Sequence, residues 1–240
     1  MALRARQRTI SMGMAAAGRE GVDEGLRTYM LRIYNYMSLG VALTGAIAMT
    51  VAMNPGLMQA IALGPMKWVL FAGVLGLGWM APKIIMSKSI AAAQAAFWAY
   101  AALWGALIAP MFYVYTGESI VRVFFITAVA FAGTSLYGYT TKKDLTVMGR
   151  FLSMATIGIL VAVVVNIFFQ SALFHMLLSI VVVLVFAGLT AYETQAIKEQ
   201  YYEGDHSDLT TRKAVFGAFM LYGCFVTMFV WMLTLFGNRN

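Results

Sequence analysis

The sequence predicts an all-α, polytopic membrane protein with seven transmembrane helices. Three observations predict it. Hydrophobic residues make up 61% of the 240 residues and charged residues 11%, where an ordinary soluble domain carries about a quarter charged; mean hydropathy is +0.78. Seven apolar runs approach or reach the ~20 residues that cross a hydrocarbon core. The lysines and arginines alternate between successive loops, as a membrane topology requires. So little charge cannot coat a water-facing surface, which argues against a cytosolic enzyme and a disordered chain. No run alternates with period two, which disfavours a lipid-embedded barrel.

Residues 1–27 carry arginines at 4, 6, 8, 19 and 27 but lack the apolar core of a signal peptide. They are expected to form a retained, mobile cytoplasmic tail. Residues 28–238 are expected to form one transmembrane domain, with spans at 31–53, 68–86, 90–114, 119–138, 148–169, 172–197 and 214–236. The second is the weakest, because Pro82 and Lys83 cut it short. The fifth and sixth are only a few residues apart and predict a tight helical hairpin. Gly73, Gly76 and Gly78 in the second span, Ala91 to Ala96 in the third, and Gly217, Ala218 and Gly223 in the seventh allow helix backbones to approach closely in lipid. The eighteen methionines read as core filler or lipid-facing side chains.

Thirteen basic residues fall on one side of this arrangement: those of the tail, Lys83 and Lys88, Lys142, Lys143 and Arg150, and Lys198, Arg212 and Lys213. Three fall on the other: Lys67, Arg122 and Arg239; Arg32, at the start of the first span, is counted on neither side. The positive-inside rule then predicts a cytoplasmic N-terminus and an external C-terminus. A net charge of +7 would suggest nucleic-acid binding in a soluble protein. Here the charges cluster between apolar runs, so topology accounts for them and no nucleic-acid partner is expected. The single cysteine, Cys224, rules out an intramolecular disulfide and argues against a cysteine-based zinc site.

Ionisable groups inside a span are costly and are functional candidates by default. Of ten acidic residues, nine lie in the tail or in loops, and the exception is Glu193 near the end of the sixth span. From Ala172 it lies about 21 residues, or roughly 32 Å of helix, which is about the hydrocarbon thickness. Spacing alone therefore leaves both an interfacial and a deeper position open. Continuation of the helix toward Tyr201-Tyr202 would set Glu193 at a depth similar to Cys224 on the seventh span. Asn35, Ser38, Thr44, Asn166, Tyr222 and Thr227 are expected to be satisfied by interhelical or backbone hydrogen bonds. His175 and His206 lack metal-ligand spacing, and Glu203-Gly-Asp205-His-Ser-Asp208 matches no calcium loop.

Enzyme readings fail on inventory. No span holds an aspartate for an aspartyl intramembrane protease, none holds a serine–histidine pair at depth, and the last span has no lysine for a retinal Schiff base. No Gly-rich phosphate-binding motif is present. The chain is expected not to be an enzyme and to need no cofactor.

Three segments resemble the Bax inhibitor-1 (transmembrane Bax inhibitor motif) family in its bacterial form: Leu26-Arg-Thr-Tyr-Met-Leu-Arg-Ile-Tyr-Asn-Tyr-Met37, Ser135-Leu-Tyr-Gly-Tyr-Thr-Thr-Lys-Lys-Asp-Leu145 and Phe186-Ala-Gly-Leu-Thr-Ala-Tyr-Glu-Thr-Gln-Ala-Ile-Lys-Glu199. The resemblance covers about residues 25–238. It implies seven helices, six surrounding a central, amphiphilic seventh, in a bacterial inner membrane. It also implies a pH-sensitive calcium leak, gated by two facing aspartates that share protons, one on the sixth helix and one on the seventh. Two close carboxylates titrate as a pair and, ionised, attract a hard cation that seeks oxygen ligands.

Carried over residue by residue, the sixth-helix aspartate falls on Glu193. The seventh-helix motif, Leu-Tyr-Leu-Asp-Phe-Ile-Asn in the family, falls on Leu221-Tyr-Gly-Cys-Phe-Val-Thr227. The aspartate is replaced by Cys224 and the asparagine by Thr227, so the carboxylate pair is reduced to one. The expected gating and pH-sensing residues are Glu193, Cys224 and Thr227, with Glu193 the one group able to attract a metal cation and calcium the permeant ion. Lys142, Lys143 and Asp144 form the family-motif loop and are read as an anchor for the fifth helix. The alternative is a non-conducting protein that regulates another membrane protein, such as a membrane protease. The bilayer is the one partner the sequence itself demands.

Overall fold

The computed structural model describes residues 2–62 and 64–240, with side chains described from residue 24 onward. In chain order the helices are α1 (Ala2–Ala52), α2 (Pro55–Ala62), α3 (Met66–Ser87), α4 (Ile90–Ile108), α5 (Met111–Val114), α6 (Gly117–Thr140), α7 (Thr146–Phe169), α8 (Ala172–Glu199) and α9 (Ser207–Phe236). Among the described residues, seven helical segments are long and apolar enough to cross a membrane: Glu24–Ala52, Met66–Ser87, Ile90–Val114, Gly117–Thr140, Thr146–Phe169, Ala172–Glu199 and Ser207–Phe236. They match the expected spans one for one. The expected tail falls mostly outside the residues with described side chains; its last residues, 24–27, belong to the first spanning helix.

Local chemistry sets the helix boundaries. Ser89, Thr116 and Ser171 cap α4, α6 and α8, their hydroxyls accepting from the backbone N–H of Ala92, Ser119 and Phe174, which satisfies donors that a helix start leaves unpaired. Gln170 ends α7 in the left-handed region at φ 48°, and two residues suffice to turn α7 into α8. Pro82 does not end α3, which runs on to Ser87. Spanning helices tolerate proline because neighbouring groups take up the freed carbonyl. The polar segment Ser207–Lys213 is helical and extends α9 below its apolar run.

The loops gather at two ends of the bundle. At one, Arg32 donates to the Thr211 hydroxyl at 3.3 Å, and Arg212 to the carbonyls of Met86 at 2.9 Å and Lys88 at 3.3 Å. This basic end also holds Lys142, Lys143 and Lys198. At the other, Tyr113 donates to the Ala52 carbonyl at 3.2 Å, and the backbone N–H of Thr116 donates to the Asn238 carbonyl at 3.0 Å.

α9 occupies the centre. It packs against α1, α3, α4, α6 and α8, and 56% of its most apolar stretch is buried, against 6% for α7. The surround is uneven: α7, the fifth span, packs on α8 and reaches the centre through it. Helix association in lipid rests on close packing and interhelical hydrogen bonds, and both are present. Gly138 on α6 meets the backbone of Ala191 on α8, leaving no room for a Cβ. Tyr222 Oη lies 2.6 Å from Thr44 Oγ1, which also reaches the carbonyls of Gly40 at 2.9 Å and Ala101 at 3.0 Å, tying α1, α4 and α9 together.

Candidate functional site at the α8–α9 interface

The last third of α8 presents three residues to α9. Thr190, Glu193 and Ile197 are spaced by three and four and so share one helix face. Thr190 Oγ1 donates to the Phe186 carbonyl at 2.8 Å and lies 3.8 Å from Met228 Sδ, and Ile197 closes over Gly217, where an added Cβ would lie 3.3 Å from the Ile197 side chain. Glu193, between these two contacts, lies level with the middle of α9, at the height of Cys224. Cys224 is a free thiol, buried at 6% exposure. Glu193 is half-buried. The ion pair found among the described residues, Lys213 with Asp205 at 2.5 Å, does not involve it.

Gln195, two residues on, fixes the height of this site. Its Oε1 accepts from the Leu145 N–H and its Nε2 donates to the Lys143 carbonyl, both at 2.8 Å. Gln195 is therefore level with the loop between α6 and α7, and Glu193 lies only about 3 Å of helix rise further in. Beside it, Thr194 Oγ1 lies 2.9 Å from Ser135 Oγ, which lies 2.6 Å from Tyr34 Oη. This chain of hydroxyls joins α8, α6 and α1. Glu193 thus sits just inside the basic end, flanked by a clamped loop on one side and the central helix on the other.

Thr227 is half-buried one helical turn beyond Cys224, and no hydrogen bond joins its hydroxyl to Glu193 among the described residues. Lys142, Lys143 and Asp144 are exposed and stand apart from the carboxylate. Asp144 Oδ1 accepts from the Thr146 N–H at 2.8 Å and caps the start of α7. Hydrogen bonds from Thr146 hold its carboxyl below the ordinary carboxylate value. The loop acts on α8 through its backbone, held by Gln195, rather than through its charged side chains. Gln195 and the Tyr34–Ser135–Thr194 chain went unremarked as site residues in the sequence, although all four lie inside the motif segments; a buried polar residue beside a span end was the signal. His175 sits at the far end of α8, its Nδ1 3.2 Å from Asn166 Nδ2.

Chemically the interface offers one carboxylate, one thiol and several hydroxyls. Among the described residues no three His, Cys, Asp or Glu side chains gather to hold a metal, and a bound calcium ion takes six to eight oxygens.

The family described as Inhibitor of apoptosis-promoting Bax1 matches residues 26–240. The chain belongs to the Bax inhibitor-1 family. An uncharacterized protein of Rickettsia prowazekii is 38% identical over 227 residues, covering 91% of this chain and 92% of its own. One of Caulobacter vibrioides is 38% identical over 230 residues, with 91% and 92% covered. Inner membrane protein YbhL of Escherichia coli is 36% identical over 219 residues, with 90% and 94% covered. This member of the Bax inhibitor-1 family carries Glu193 and Cys224 at the interface of its sixth and seventh spans.

Proposed function

We propose that this Bax inhibitor-1 family protein is a weak, proton-sensitive cation leak of the bacterial inner membrane, with Glu193 as its gate and calcium among the ions passed. The observation that carries this reading is the position of Glu193: a carboxylate without a described ion-pair partner, on the α8 face toward the central helix, about 3 Å of rise from the clamped loop. Ionised, it attracts a cation at the pore mouth; protonated, it does not. With Cys224 in place of a second carboxylate, cation binding is loose and selectivity low, since a thiol is a poor partner for a hard cation. The excess of basic residues at the same end supports a cytoplasmic location for that end, and the name of the Escherichia coli relative supports the inner membrane. No catalytic step and no cofactor enter this reading. Calcium entry into liposomes holding the purified protein, recorded at pH 6, 7 and 8, tests it.

A second reading has its own observation. α7 packs on α8 alone among the major helix contacts and leaves Val147, Phe151, Met154, Ile157 and Val161 exposed along one flank, a surface on which another membrane protein, for example a membrane protease, could seat. Liposomes with no flux at any pH, together with a reproducible membrane partner crosslinked through α7, favour this reading over the leak.

A further inference from the structure

α1 and α6 meet at the Tyr34–Ser135 hydrogen bond, 2.6 Å, and are otherwise little in contact; between them runs a groove lined in part by Phe225 of the central helix. Its larger part has a volume of about 800 Å³ and runs from Arg27, at the basic end, to Val41 and Phe124. A second part of about 330 Å³ shares Val41, Phe124 and Phe225 with the first and continues toward the far end. The lining is graded. Arg27, Tyr34, Ser135 and Tyr139 lie at the basic end of the groove. Beyond Val41 the lining is apolar apart from Thr44, whose hydroxyl is already engaged by Tyr222.

We infer that this groove holds an anionic phospholipid, with its headgroup at Arg27 and an acyl chain lying along α6. Charge supports the headgroup. Arg27 is exposed at the mouth and is paired with no acid among the described residues. Lys198 stands close by, its Nζ 2.8 Å from the Tyr139 carbonyl and 4.9 Å from the centre of the Tyr139 ring. Basic pockets between helices at the cytoplasmic face are the places where anionic headgroups bind. Size supports the chain. From Arg27 to Val41 the groove follows about 21 Å of helix, enough to take a chain past the ~15 Å depth of one leaflet. Water is a poor occupant, because the deeper walls offer it no partners. This inference does not depend on whether the protein conducts.

Native mass spectrometry of the full chain, released from detergent with phosphatidylglycerol or phosphatidylcholine added, tests it. The expected result is one phosphatidylglycerol retained per chain in clear preference to phosphatidylcholine. Arg27→Gln should weaken that retention about fivefold, the effect of one basic residue at a membrane surface. Arg122→Gln, which removes the same charge from the opposite end of α6, should leave it unchanged. Ala132→Phe, which fills the groove from an exposed position, should lower retention of both lipids. Equal retention of the two lipids by the unaltered protein, or equal effects of Arg27→Gln and Arg122→Gln, overturns the proposal. A dimer mass that disappears in Ala132→Phe also overturns it, and assigns the groove to a second copy of the chain.

Discussion

Glu193 on α8 lies at the height of Cys224 on α9, a level set by two contacts along the same interface, Thr190 with Met228 and Ile197 with Gly217. A second carboxylate placed at 224 would therefore stand beside the first. Cys224→Asp is expected to raise calcium flux through liposomes and to steepen its pH dependence, because two adjacent carboxylates titrate as a coupled pair. An unchanged flux in a folded variant would mean that position 224 does not border the ion path.

Gln195 satisfies both the Leu145 N–H and the Lys143 carbonyl, and Leu145 is buried. Gln195→Leu leaves a buried donor unpaired and is expected to destabilise the protein by about 1–3 kcal/mol. Hydrogen exchange provides the local check: the Leu145 amide should be protected in the unaltered protein and exchange much faster in the variant.

Gly138→Ala should be far more damaging than its chemistry suggests. The new Cβ meets the Ala191 backbone, which has no flexible side chain to move aside, so α6 and α8 must separate, at a cost of about 1–3 kcal/mol. Gly133→Ala, on the same helix with open space around it, should be neutral or slightly stabilising through helix propensity. Thermal unfolding in detergent distinguishes the two.

Tyr222→Phe removes the hydroxyl from Thr44, but Thr44 keeps the carbonyls of Gly40 and Ala101 as partners. The expected loss is small, near the ~0.6 kcal/mol average for side-chain hydrogen bonds between spanning helices. A loss several times larger, measured by denaturant unfolding, would show that Thr44 cannot remain satisfied alone.

Asp144 provides a control for pH. Its carboxyl is held below its ordinary value of 3.8 by Thr146, so it stays ionised at neutral pH and its capping contribution is lost only as pH falls below the ordinary carboxylate range. Asp144→Asn should therefore leave any response between pH 6 and 8 unchanged. A flux profile that shifts within that window would implicate the loop in gating.

Much of the fold was legible because a bilayer leaves few alternatives: an apolar run of about 20 residues has to be a helix. The α7–α8 hairpin was visible from the few residues between two such runs. The limits of α9 were not, because Ser207–Lys213 is polar and continues the helix outside the apolar stretch that marks a span. α2 and α5 are too short to leave a hydropathy signal. Burial was also hidden: the runs forming α7 and α8 look equally apolar, yet α7 is mostly exposed and α8 packs on three neighbours, and the difference lies in which helices they meet. The candidacy of Glu193 followed from its being the lone acid of a span. Its orientation toward α9 did not, since that depends on the register set by Met228 and Gly217, and Gln195 acquires its role from a loop fifty residues away in sequence.

The most direct test of the account is calcium entry into liposomes with Glu193→Gln set beside the unaltered protein between pH 6 and 8. The account predicts a flux that changes with pH in the unaltered protein and a pH response abolished in the variant, in which the side chain keeps its size and loses its titratable charge. A pH-dependent flux that survives Glu193→Gln unchanged would contradict it.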